Sequence, residues 1–165
     1  MSAAFETQAV VIGIGNLLRG DDGVGRIVAQ RLREQNIPGL RVLEHEGETT
    51  WLMEAWEGAD TVFVVDAISS TSAAGTICRF DAAHRGLQRV SFRDSSHSLG
   101  LHEAVELARG WNRLPRRLII YGIVGKSFGL GSELSSKVRQ AGGRVADRIV
   151  AELSAIRSDR VRSEF

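Results

Sequence analysis

The stretch Thr61–Ile68, reading TVFVVDAI, constrains the fold of this chain more than any other. Seven of its eight residues avoid charge, and the run is too short for a buried helix. It therefore reads as a parallel strand covered on both faces. The exception, Asp66, stands near its end, and an acid at the end of so apolar a segment needs a partner. An ordinary loop hydrogen bond would supply one, and so would a cation.

Similar runs recur along the chain. Ala9–Gly15 (AVVIGIG) and Leu118–Val124 (LIIYGIV) read as buried strands, Arg41–Glu46 as another, and Thr76–Phe80 as a weaker one. Helical stripes lie between them. One carries Val24, Ile27, Val28 and Leu32, and a second carries Leu52, Met53 and Trp56 with Thr49 or Thr50 as its cap. A third carries Leu101, Ala104, Val105 and Ala108, and a long one from Ser132 runs through Val138, Val145, Ile149 and Ile156. Gly142-Gly143 weakens that last helix by about 1 kcal/mol per glycine. Strands alternating with helices imply an α/β sandwich with a mostly parallel sheet of about five strands. We expect a single domain over 1–165, with its core at about 8–157 and a flexible tail at about 158–165.

Composition narrows the function. The chain has 165 residues, 43% apolar, with Lys+Arg 21 against Asp+Glu 20. That balance predicts no nucleic-acid partner. One cysteine, Cys78, excludes an internal disulfide framework and a cysteine-rich zinc site, and it reads as a small buried thiol. The start lacks the order of a signal peptide and no run is long enough for a bilayer, so a cytoplasmic protein without membrane contact is expected. A monomer is expected as well.

In such sheets ligands bind beyond the carboxyl ends of the strands. Asp21-Asp22 follows the first strand within GNLLRGDDGVG, Asp66 ends the middle one, and His97 lies in SSHSLGL before a helix. Two carboxylates and an imidazole from three segments suit a borderline divalent metal with positions left open. Each has a plainer reading. Asp22 or Asp21 would cap the first helix, Asp66 would bond to a loop, and His97 would be structural or solvated.

Three rivals fail on residue identity or order. A dinucleotide fingerprint beginning Gly13-Ile14-Gly15 needs glycine where Leu18 stands, and a phosphate would face Asp21 and Asp22. Gly125-Lys126-Ser127-Phe128-Gly129 mimics a serine-hydrolase elbow, but His45, His84, His97 and His102 all precede Ser127. The same Gly125-Lys126-Ser127 ends a Walker A pattern whose first glycine is replaced by Ile120. Trp51, Trp56 and Trp111 suit packing of helices on the core, and His102 reads as a surface residue.

The segment VIGIGNLLRGDDGVG resembles the opening signature of hydrogenase maturation endopeptidases. The likeness continues through VVDAI (Val64–Ile68), the block from Ser96 to Leu101, and YGIVGKSFGLGSELS. It implies helices on both faces of a twisted sheet, a three-layer α/β/α sandwich. It also implies removal of a C-terminal extension from a [NiFe] hydrogenase large-subunit precursor after nickel insertion. By that resemblance Asp22, Asp66 and His97 are the catalytic metal ligands, and the nickel arrives with the precursor, another divalent metal serving in vitro. Asp21 or Glu46 is the candidate proton shuttle. A nickel-binding checkpoint chaperone without hydrolysis would use the same ligands. Glu46-Gly47-Glu48-Thr49 departs from the acid-glycine-glycine-threonine of many relatives, and the last loop has Lys126 and Ser135 where some carry Glu or Pro. Both departures bear on which precursor is cut.

Overall fold

The computed structural model describes residues 9–86 and 96–163, the side chains of 96–99 excepted. Among the described residues five strands form one sheet: β1 (Ala9–Ile14), β2 (Leu40–His45), β3 (Thr61–Ile68), β4 (Ile77–Asp81) and β5 (Arg117–Val124), in the order β2-β1-β3-β5-β4. All neighbours are parallel except β4, which runs antiparallel to β5 at one edge. Every residue of β1 and of β3 is buried, Asp66 included, as their mainly apolar runs require.

Alternate residues of each strand feed opposite layers. Val11, Phe63, Val65, Ile119 and Tyr121 pack with helices α1 (Val24–Glu34) and α4 (Ser136–Ser163). Val10, Ile12, Val62, Val64, Leu118 and Ile120 pack with α2 (Thr49–Trp56) and α3 (Ser96–Gly110). The result is the expected α/β/α layering. α4 buries Val138, Ala141, Gly142, Val145, Ala146, Ile149 and Leu153, the three-and-four spacing of one helical face.

Three expectations shift. α4 begins at Ser136 rather than Ser132, and it runs to Ser163. Trp111 is 60% exposed rather than packed, whereas Trp56 is buried and Trp51 stacks on the His45 ring at 4.0 Å. Cys78, on edge strand β4, is only partly buried.

Small residues let α1 approach the sheet. A Cβ on Gly25 would lie 2.3 Å from the carbonyl oxygens of both Ile14 and Val65, and one on Gly13 would lie 2.3 Å from the Gly25 carbonyl. Gly13 thus serves helix-on-strand contact, not a phosphate. This close seating draws the segment before α1 over the carboxyl ends of β1 and β3.

Candidate functional site at the carboxyl rim of the sheet

The opening loop carries both acids but uses them differently. Gly20–Gly23 forms a short 3-10 turn that packs against β3, and α1 then starts with Gly23 as its N-cap and no side-chain capping bond. Neither Asp21 nor Asp22 caps α1. The Asp22 carboxylate, 4% exposed, turns back on its own loop and accepts the Asn16 N–H at 3.0 Å. The Asn16 side chain accepts the Leu18 N–H at 2.9 Å, so the loop is closed by its own polar groups.

Asp21 is fully buried and reaches the other way. Its Oδ2 accepts the N–H groups of Lys126 and Ser127 at 2.9 and 3.0 Å and the Ser135 hydroxyl at 2.9 Å, and its Oδ1 accepts the Ser135 N–H at 2.7 Å. Its own N–H donates to the Ser127 carbonyl at 2.8 Å. Burial pulls this carboxyl toward neutrality, but the three N–H groups and the hydroxyl outweigh it and hold it below the usual range. Asp21 is therefore a latch between two loops. With its lone pairs engaged it is unsuited to the proton-shuttle role for which it and Glu46 were the candidates; Glu46 is exposed just beyond β2.

Asp66 is fully buried near the end of β3, beside Gly122 of β5. Its parity with Val62 and Val64 sets it on the α2/α3 side. α3 begins on that side, where a Cβ on Gly100 would meet the Gly47 carbonyl at 2.2 Å, and Thr49 Oγ1 donates to the Gly100 carbonyl at 3.2 Å. The backbone of His97 lies in the first turn of α3, one turn before buried Leu101. The His97 side chain lies outside the described residues. Among the described residues no three His, Cys, Asp or Glu side chains gather as a metal cluster. The structure thus brings the segments of Asp22 and Asp66 to one rim.

A hydrogenase maturation protease (HycI) family model matches residues 28–152. The chain belongs to the hydrogenase maturation protease family. The matched stretch includes Asp66 and His97 and begins after Asp22. This family member is 30% identical over 161 residues to the hydrogenase expression/formation protein HoxM of Azotobacter vinelandii, covering 92% of this chain and 76% of that one. It is 26% identical over 151 residues to a putative hydrogenase maturation protease of Methanocaldococcus jannaschii, covering 87% and 95%. Against HupM of Azotobacter chroococcum the alignment spans 56% of the relative's length. Among solved structures, the hydrogenase maturating endopeptidase HybD from E. coli superposes with a TM-score of 0.76 at 21% identity, over 90% of this chain and 93% of that one. HycI from Thermococcus kodakarensis gives 0.67 at 26%, over 92% and 95%.

Several features of this maturation protease escape sequence reasoning. The Asp21 latch joins residues more than a hundred positions apart, and only the Ser/Gly richness of 125–135 hints at a loop needing anchors. At the end of β2 the Gly47 N–H donates to His45 Nδ1 at 3.0 Å, which shapes the turn carrying Glu46. Ser127, the decoy nucleophile, lies in a non-helical loop and serves Asp21 through its backbone. No described helix is long and apolar enough to cross a membrane.

Proposed function

We propose that this chain is a metal-dependent endopeptidase that removes the C-terminal extension of a nickel-loaded [NiFe] hydrogenase large-subunit precursor. Family membership supports the proteolysis. The observation that carries the metal is the burial of two acids, Asp66 and Asp22, in segments that adjoin at the rim. Two negative charges withdrawn from water favour a divalent cation over each other. Oxygen donors joined by the His97 imidazole fit a borderline ion such as nickel.

In this reading the nickel is part of the substrate, and it supplies Lewis acidity toward the scissile carbonyl and a nearby water. Asp66 and Asp22 hold that end of the precursor in register, and His97 completes the set. Glu46, on the turn shaped by His45, accepts the proton of the attacking water. Asp21 keeps the 15–22 loop fixed so that Asp22 does not move when the precursor enters.

The test is incubation of purified protein with precursor prepared with and without nickel, read by mass spectrometry. Loss of the C-terminal peptide only from the nickel-loaded form is the expected result. Complex formation without any mass loss would mean a checkpoint chaperone instead. His97→Ala should abolish trimming while leaving the circular dichroism unchanged, and normal trimming by that variant would remove the metal model.

A further inference from the structure

The rim carries an apolar lip that the chemistry above does not use. Leu17 is 42% exposed, Leu18 68% and Leu130 73%, whereas the other large apolar side chains among the described residues are mostly buried. Leu17 and Leu18 come from the opening loop and Leu130 from the loop after β5. The Gly131 N–H donates to the Leu18 carbonyl at 2.8 Å, which seats Leu130 beside Leu18. A single exposed leucine means little, but three on two adjoining loops make a patch.

The lip is also built to keep its shape. Asn16 pins the Leu18 N–H, the Asp21 latch ties the loop to Lys126, Ser127 and Ser135, and Leu17 rests on Gly23. Preorganised apolar side chains lose little freedom on docking, so the lip is suited to recognition. Its position decides the occupant. Leu17 and Leu18 lie between Asn16 and Asp22, the two ends of the hydrogen bond that folds the site loop. Whatever covers the lip therefore lies against the loop that carries Asp22. A second copy of this chain docked there would cover that loop in place of the substrate.

We propose that Leu17, Leu18 and Leu130 form a docking lip for an apolar segment of the precursor next to the bond that is cut. This rests on the reading given under Proposed function, and it names the surface by which that substrate is selected. The lip supplies affinity by apolar burial, and the acids and imidazole supply the chemistry.

The experiment compares wild-type protein with the double variant Leu18→Asp/Leu130→Asp and the apolar control Leu18→Met/Leu130→Met. Dye-labelled, nickel-loaded precursor is mixed with each, binding is read by anisotropy immediately after mixing, and cleavage is followed by mass spectrometry. Both positions are exposed, so melting temperatures should match. The charged pair should weaken Kd by about tenfold or more, raise KM in parallel and move kcat far less, with the methionine pair close to wild type. Equal Kd for wild type and the charged pair overturns the lip, while cleavage by wild type leaves the protease reading standing. A wild type that binds without cutting ends the protease reading, and the Kd ratio still judges the lip. A wild type that binds no precursor overturns the lip. So does self-association that the charged pair abolishes, which would assign the patch to a second copy.

Discussion

Replacing Asp21 tests whether one buried carboxylate holds the two site loops together. Asp21→Ala removes the acceptor of three backbone N–H groups and one hydroxyl. Each bond to a charged acceptor contributes about 1.5–3 kcal/mol when buried. Lys126 is exposed and Ser127 and Ser135 are only partly buried, so water entering the gap recovers part of the loss. A net destabilisation of about 3–5 kcal/mol follows, a large share of the roughly 5–15 kcal/mol that stabilises a domain.

Asp21→Asn is a graded probe of the same site. With its carbonyl placed at the Oδ2 position the amide keeps three donors satisfied, but its NH2 then faces the Ser135 N–H. About 1–2 kcal/mol should be lost. Urea unfolding at pH 7 followed by circular dichroism separates these cases. With a slope of about 2 kcal/mol per molar, the alanine midpoint should fall by about 1.5–2.5 M and the asparagine midpoint by less than half of that. The folded-state pKa of Asp21 lies below its unfolded value, so its stabilisation is present above about pH 4 and is lost as pH falls through the folded value. Asp21→Asn should therefore flatten the acid limb of the stability profile. An alanine variant within about 1 kcal/mol of wild type would refute the latch, as would asparagine and alanine variants of equal stability.

Other perturbations probe other layers. Tyr121 is the sole tyrosine; burial first, and then the Glu152 carboxylate that its hydroxyl bonds, push it up to about 12. Absorbance at alkaline pH should show no tyrosinate below that region in native protein, and Glu152→Gln should bring the transition down. Gly143→Ala should stabilise α4 by about 0.5–1 kcal/mol, because its Cβ meets only the movable Arg31 guanidinium. Gly142→Ala should gain less, or lose, since its Cβ would press on Val24 and Val28 at 3.2 and 3.3 Å; thermal melts rank the pair. Gly25→Ala should fail to yield a stable fold, having two backbone oxygens at 2.3 Å, and soluble protein with a normal melt would contradict the close seating of α1.

Much of the architecture was legible from residue type and spacing. β3 begins and ends at the residues its apolar run marks, and β1, β2 and β5 lie within a residue of expectation at either end. β1, β3 and β5 are set by a local property, continuous burial on both faces, which composition records directly, whereas β2 is only half-buried. Helix starts were less legible. α4 begins four residues late because Leu134 and Ser135 belong to the latch loop, whose hydrogen bonds go to Asp21 and not along a helix.

The candidate site divides in the same way. Asp66 stands out in the sequence because an acid among FVV and AI must be accommodated somewhere. The two neighbouring aspartates could not be told apart. Both are short acids in a turn before a helix, so the linear text offers the same capping role to each. Folding separates them, since one side chain turns inward to its own loop and the other to a neighbouring loop more than a hundred residues away in sequence. What the chain by itself determined is which segments are strands and which residue types reach the rim, since both follow from local hydrophobicity. Only the tertiary structure decided which aspartate is a latch and that three leucines share one exposed lip. Those facts depend on backbone groups far apart in sequence meeting at one edge of the sheet.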